Sequence, residues 1–549
     1  MKKIITSLIP PLGVRGLFIF YFLFGECFSQ AGEWVWIKGD SIPNQSGNYG
    51  VQGVPSPTNN PPSLYEPCEW TDMNGNFWLF GGVVGSVTLN NLWKFEISSN
   101  EWTWMKGPGI ANDSGSYGIQ GIPSLLNNPP SRGFAIASWV DNQNNLWLFG
   151  GAGLNNMYSD LWKYDISTNE WVWVKGPNSS LAPGVYGIQG VPDTANYPRH
   201  RSETLALGAD DFNNLWLFGG ATTIVTQLND LWRYSIDSNQ WTWMKGSNMT
   251  NAIGVYGTLG VESPANTPGA RGSYGHWKDS DGKFWFFGGN TNYGNQSSNC
   301  NDLWKYNPVT NNWKWMGGST TVNAAGVYGT KCVTSSANIP GARYENRAAW
   351  KDQRGNFWLF GGGQYPLTWN DLWMYCISTN QWIWQSGSNI PSPVGSWGTI
   401  GVSSPTNKPN GRGGAIGWTD NNGHLYLFGG SNNGLTTPRN DLWKYTIDTT
   451  CGVCPTITDI REINFANELL VFPNPTNSSL TISFQSSSKQ YIELRIYNTL
   501  GKQIYVEKEE IAAGKFEKKI NVEKLSDGIY FLQVKMKEGV ISKKVVVQH

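Results

Sequence analysis

The chain has 549 residues, equal numbers of basic and acidic side chains, and only 15% charged residues. So balanced and sparse a charge gives no electrostatic footprint for nucleic acid or an anionic membrane, and neither is expected as a partner. With 65 Gly, 30 Trp and room for more than one domain, a turn-rich all-β protein is the natural reading.

Residues 1–29 are a different material. Lys2, Lys3 and Arg15 precede an unbroken apolar run, Leu17 to Phe24, that ends near small residues at Ser29. A run this short cannot span a bilayer, so it reads as a cleaved export signal cut after Ser29, with no transmembrane segment in the mature chain. Cys27 raises the alternative of lipidation, but Glu26 stands where a small residue should precede a lipidated cysteine.

From Glu33 onward one pattern recurs. FWLFGG at Phe77 returns as LWLFGG at Leu146 and Leu215, FWFFGG at Phe284, FWLFGG at Phe357 and LYLFGG at Leu425, at a period of about 70 residues. Within one unit four extended segments can be read: Phe134 to Val140, Leu146 to Gly151, Asp160 to Ile166 and Glu170 to Gly176. Asp-, Asn- and Gly-rich turns between aromatic runs are hairpin signals. Each unit is thus a four-stranded antiparallel sheet that buries its faces only by stacking on its neighbours. Fourth strands begin at Glu33, Glu101, Glu170, Gln240, Asn312 and Gln381, so one precedes the first GG unit and none follows the last. Glu33 to Lys38 is therefore expected to complete the sixth sheet and close a ring. Trp residues two apart, such as Trp102 and Trp104, share a strand face and are assigned to the boundaries between sheets.

The di-glycine after an apolar second strand, the aromatic third strand and the Trp-bearing fourth strand resemble the kelch motif, including that of the galactose oxidase central domain. The resemblance implies a six-bladed β-propeller over residues 30–450, closed by its N-terminal strand. The units are longer than the usual kelch length of about 50 residues, the excess lying in loops between one fourth strand and the next first strand.

After a linker over 451–463, residues 464–549 lack Trp and show half-buried alternation, as at Ile492, Leu494 and Ile496. A small Ig-like β-sandwich is expected. Pro473 to Pro475 (PNP), Asn498 to Lys502 (NTLGK) and Asp527 to Tyr530 (DGIY) resemble the landmarks of the type IX secretion system C-terminal sorting domain. That resemblance implies passage across an outer membrane through this machinery, with the mature chain secreted or surface-attached.

Both long-loop sets fall on one face of such a ring, so a glycan or protein ligand is expected there or in the central channel. Tyr158, Tyr293, Tyr365 and Trp369, in loops after the GG pairs, are candidates for an aromatic glycan platform. The aromatic of the repeated G-x-Y-G loop motif reads instead as packing on its own unit. Arg132, Arg201, Arg271, Arg343 and Arg412 open successive first strands, with Glu203, Glu345 and Arg347 nearby. Arg201, Arg271 and Arg347 are ligand-binding candidates that could hold an acidic sugar, with Glu203 and Glu345 as catalytic candidates for acid–base work on it; bracing of adjoining units is the alternative for the arginines. The scattered His200, His276 and His424 do not make the copper site of galactose oxidase, and neither metal nor cofactor is expected. A binding module is the leading reading, and a carbohydrate-active enzyme, epimerase- or lyase-like and using the Glu and Arg residues of the channel, is the alternative. Of the cysteines left after signal removal, Cys300 and Cys332 are a candidate bridge between successive loops, and Cys451 with Cys454 a local one.

Overall fold

The computed structural model describes residues 31–223, 225–293, 296–452, 454, 469–486, 489–498, 502–536 and 539–549. The expected signal segment and positions 455–463 of the expected linker lie outside them. Apart from one 3-10 turn at Gly434–Thr436, every regular element among the described residues is a β-strand. The chain divides into two compact units, one ending at Cys454 and the other beginning at Pro455.

In the first unit, six sheets each contain four principal strands in antiparallel order. Sheet I is Cys68–Thr71, Phe77–Phe80, Leu92–Glu96 and Glu101–Lys106; sheet II is Ala137–Val140, Leu146–Phe149, Leu161–Asp165 and Glu170–Lys175. Sheet III is Leu205–Ala209, Asn214–Thr223, Thr226–Ser235 and Gln240–Lys245; sheet IV is Gly275–Lys278, Phe284–Phe287, Leu303–Asn307 and Asn312–Gly317. Sheet V is Ala349–Lys351, Phe357–Phe360, Leu372–Cys376 and Gln381–Ser386. Sheet VI takes three strands from the end of the unit, Ile416–Thr419, Leu425–Phe428 and Leu442–Tyr445, and its outer strand, Trp34–Lys38, from the beginning.

Second strands such as Phe77–Phe80 are buried at every residue, as apolar runs covered on both faces must be. The cover comes from adjacent sheets. Each first strand lies against two others in the cyclic order I, II, III, IV, V, VI, I, and each of the six boundaries holds its own aromatic and aliphatic cluster. At the VI–I boundary Trp102 packs on Trp418 and Phe428, and Phe77 stacks on Trp418 at 5.1 Å. A buried ring of this kind removes roughly 150–250 Å² from water, worth at most about 4–6 kcal/mol.

The di-glycines register one sheet on the next. The N–H of the second glycine donates to a carbonyl that opens the following sheet: Gly82 to Arg132, Gly151 to Arg201, Gly220 to Arg271, Gly289 to Arg343, Gly362 to Arg412 and Gly430 to Leu64, each at 2.9 Å. The first glycine lies under the same carbonyl. At Gly81, φ is +67° and a Cβ would stand 2.3 Å from the Arg132 oxygen, so no other residue fits.

The chain after sheet VI turns at Asp448–Cys451 and crosses to sheet V, where Cys451 bonds Cys332 and Cys454 bonds Cys376. This corrects the expected Cys300–Cys332 and Cys451–Cys454 bridges. Cys300 is buried beside the GG turn of sheet IV, whereas the Cys332 N–H donates to Trp384 on the outer strand of sheet V. Cys451 and Cys454 reach two different partners, Cys332 in the loop that precedes sheet V and Cys376 on its third strand. Cys68 and Cys300 are free and buried. The bridges close sequence separations of 119 and 78 residues, and each restricts the unfolded chain by roughly 2–4 kcal/mol.

The second unit has two antiparallel sheets, one of Leu470–Phe472, Ser479–Ser486 and Gly514–Asn521, the other of Gln503–Ile511, Gln490–Asn498, Gly528–Met536 and Gly539–Val547. Leu480, Ile482, Ile492, Leu494, Ile496, Leu532 and Val534 share its core. Asn474 of the PNP segment bonds the last strand twice, to Lys544 O and Val546 N.

Deletion of Glu33–Lys38 is predicted to strip the outer edge of sheet VI and expose its boundary with sheet V, lowering the thermal unfolding midpoint sharply. An unchanged midpoint would refute closure by this strand.

Candidate functional site

Two residues beyond each carbonyl held by a di-glycine come Glu66, Phe134, Glu203, Ser273, Glu345 and Gly414, all left-handed with φ between 50 and 64°. Most of these are non-glycine residues, held there by their surroundings at a cost of order 1–3 kcal/mol each. Their backbones are linked around the centre: Glu66 N–H donates to Gly414 O at 3.0 Å, Glu203 to Phe134 at 2.7 Å, Ser273 to Glu203 and Glu345 to Ser273 at 2.9 Å, and Gly414 to Glu345 at 3.0 Å. The turn that starts every first strand thus brings one residue from each sheet to a common mouth, and three of the six are glutamates.

The surroundings are polar. The Ser273 hydroxyl donates to Glu203 Oε2. Glu345 has the Tyr65 and Tyr365 hydroxyls beside it, and the Glu66 and Glu203 carboxyls are neighbours. Gly413 and Gly414 leave room for these groups. A Cβ at position 413 would come within 2.8 Å of Glu345 Oε2 and 2.9 Å of the Tyr365 hydroxyl, and one at 414 within 2.6 Å of the Tyr65 ring and 2.8 Å of Glu66 Cγ. Below the mouth, Arg347 donates to Glu69 Oε2 at 2.7 Å.

Much of this hydrogen-bonding capacity has no well-aligned protein partner: Glu66 Oε1 and Oε2, Glu345 Oε2, the Tyr365 hydroxyl, Arg347 Nε and Nη1, and His276 Nδ1. Glu66 is wholly buried, and Arg347 is 2% exposed. Burial raises the carboxyls of Glu66 and Glu203 above the ordinary range, pushes Glu345 up to about 8 and Glu69 to about 7. Burial and the nearby Arg347 lower His276 to about 4, leaving its imidazole neutral at physiological pH. Among the described residues, no group of three or more His, Cys, Asp or Glu side chains could hold a metal ion.

Glu203, Glu345, Arg347 and Tyr365 therefore meet in one place. The other candidates go elsewhere. Arg201 and Arg271 are corrected from ligand contacts to braces: each forms a buried bidentate pair, with Asp230 and Asp302 respectively, and also donates to its own sheet's di-glycine. Arg132, Arg343 and Arg412 do the same with Asp160, Asp371 and Asp441. Removing one partner of such a pair strands a buried charge and costs about 3–5 kcal/mol. The loop aromatics Tyr117, Tyr186, Tyr256, Tyr328 and Trp397 donate to these same aspartates. Tyr158 and Trp369 are corrected likewise: they stack on Arg132 at 4.1 Å and Arg343 at 5.1 Å, and offer no shared platform. The Tyr293 side chain lies outside the described residues. The expected affinity for an acidic sugar also loses its basis, because the mouth is ringed by carboxyls and Arg347 already faces Glu69.

Glu66, Tyr65 and Glu69 escape a reading of the sequence that follows the arginines. Leu64 replaces Arg in the first unit, yet the offset of two that leads from Arg201 to Glu203 and from Arg343 to Glu345 also leads from Leu64 to Glu66.

Residues 470–548 match the Secretion system C-terminal sorting domain. Such a domain implies export by the type IX secretion system and interaction with its machinery, and indicates a secreted or cell-surface protein. Over 116 residues, 21% of this chain, the sequence is similar to Multiple epidermal growth factor-like domains protein 8 of Rattus norvegicus (28% identical) and of Homo sapiens (27% identical). The matched stretch spans 4% of the length of those relatives. No helix among the described residues is long and apolar enough to cross a membrane.

The raised carboxyls fix the sign of a pH effect. A carboxyl whose pKa is higher in the folded than in the unfolded state stabilises the fold below its ordinary range, and that stability is lost as pH rises through the folded value. With Glu69 near 7 and Glu345 near 8, the unfolding midpoint is predicted to fall between about pH 5 and about pH 9, and Glu345→Gln to flatten part of that slope. A wild-type midpoint that rises over the same interval would contradict the burial of these groups.

Proposed function

We propose that the first unit is a six-bladed kelch-type β-propeller over residues 30–450, and the second an immunoglobulin-like sorting sandwich over 464–549. In this reading the protein is exported behind a cleaved signal of residues 1–29, and the mature propeller is a secreted or surface-attached binding module. Its ligand is a glycan, taken at the mouth formed by Glu66, Glu203, Glu345, Tyr65, Tyr365 and Arg347.

One observation carries this reading: buried polar atoms without well-aligned protein partners, Arg347 Nε and Nη1, both Glu66 oxygens and Glu345 Oε2, belong to neighbouring side chains at this mouth. A buried polar group left unpaired costs about 1–3 kcal/mol, and a sugar hydroxyl, which both donates and accepts, suits such a mixed set. Protein adhesion through the long-loop face is the competing ligand class.

The raised carboxyls favour a second reading, an epimerase- or lyase-like enzyme in which Glu345 and Glu203 exchange protons with a sugar. Retained turnover of candidate sugars after Glu203→Gln and Glu345→Gln would remove these residues from any catalytic role.

A glycan array probed with the exported protein separates the classes. The binding-module reading predicts retention on a subset of glycans, lost at least tenfold on Arg347→Met in protein of unchanged fold. Retention on no glycan would leave protein adhesion.

A further inference from the structure

The three glutamates at the mouth belong to sheets I, III and V, alternate members of the ring, and the intervening sheets contribute Phe134, Ser273 and Gly414 at the same level. Carboxyls therefore alternate with small or apolar groups around the centre. Their nearest cation, Arg347, is committed to Glu69 through Nη2. Glu66 stands out: it is wholly buried, and neither oxygen has an aligned donor.

Three acceptors at alternate positions match the three N–H donors of a primary ammonium, and charge-assisted bonds of this kind are the strong ones. The carboxyls do not form a group able to hold a metal ion. The side chains beside them add requirements that a bare amine does not meet. Arg347, 2% exposed, keeps Nε and Nη1 without acceptors, and the Tyr365 hydroxyl has no aligned partner. Tyr344 and Tyr365 meet edge to face at 5.7 Å, and both are half-buried at the mouth. A ligand that fits carries an ammonium next to hydroxyl groups on a compact ring.

We infer that the mouth of the channel recognises a hexosamine bearing a free ammonium, held by Glu66, Glu203 and Glu345, with a neighbouring hydroxyl accepting from Arg347 and the sugar ring against Tyr365. The inference rests on the glycan-binding reading and narrows it to a cationic sugar. The groups facing the ammonium are these three glutamates, the Tyr65, Tyr344 and Tyr365 hydroxyls, the Arg347–Glu69 pair and His276. Raised carboxyls ionise as a cation arrives, so the empty site avoids three adjacent buried charges while the occupied one is compensated.

Isothermal titration calorimetry of the exported protein tests this with glucosamine, N-acetylglucosamine, glucose, glucuronate and n-butylamine. The expected result is glucosamine at least tenfold tighter than glucose or N-acetylglucosamine, with glucuronate weakest. Glu66→Gln should reduce the preference for glucosamine over glucose to below twofold. The wild-type ranking stands by itself if that variant does not fold. Glucosamine and glucose within twofold of each other would overturn the ammonium assignment and leave the glycan reading in place. Butylamine binding as tightly as glucosamine would overturn the sugar assignment, and binding of no probe would overturn both.

Discussion

The first unit depends on a pair of backbone hydrogen bonds made where each sheet begins. The residue that opens a first strand gives its carbonyl to the second glycine of the preceding sheet and takes a carbonyl from the loop beyond that glycine pair, as Arg132 does with Gly82 and Leu89. Because the carbonyl sits on the first glycine, any side chain there would push adjacent sheets apart. The guanidinium then turns the other way, into its own sheet, to pair with an aspartate at the start of the third strand. One residue thus holds two sheets, and aromatic packing at each boundary fills in behind it.

That same constraint builds the candidate site. With the opening residue fixed, the residue two positions later is driven into a left-handed turn at the centre, whatever its chemistry. Phe134 and Gly414 occupy the position as readily as Glu66. The scaffold sets the place and leaves the side chain free, so function can be written there with little consequence for the ring. The outer loops have no such freedom. Tyr117 and its equivalents are spent on the aspartates of the braces.

The seam between sheets VI and I is where the repeat departs from itself. Leu64 and Asn91 stand where the other sheets have Arg and Asp, and Tyr49 donates to Asn91 at 3.2 Å. The N-terminal segment supplies other ties: Asp40 N–H donates to Asn440 Oδ1, and Trp34 packs on Phe360 of sheet V. Two disulfides fasten the end of the unit to sheet V. Much of this was legible in the sequence. The GG period gives the sheets, and the surplus fourth strand at Glu33 gives its pairing with the last sheet. The bridges were not legible, because the partners of Cys451 and Cys454 are far away in the chain and depend on where the last segment crosses. Arg201 and Arg271 were ambiguous for a different reason: an arginine at a strand start suits a brace or a ligand equally until its aspartate is located in space. Glu66 was hidden by the Leu64 substitution, which removed the landmark used to align the units.

Hydrogen exchange followed by mass spectrometry tests the closed ring most directly, by comparing the peptide spanning Trp34–Lys38 with the one spanning Leu442–Tyr445. Paired residues in one sheet should be protected together and lose protection together, since Val35 lies opposite Lys444 and Trp36 opposite Trp443. Rapid exchange across Trp34–Lys38 while Leu442–Tyr445 stays protected would mean that the N-terminal strand does not close the ring.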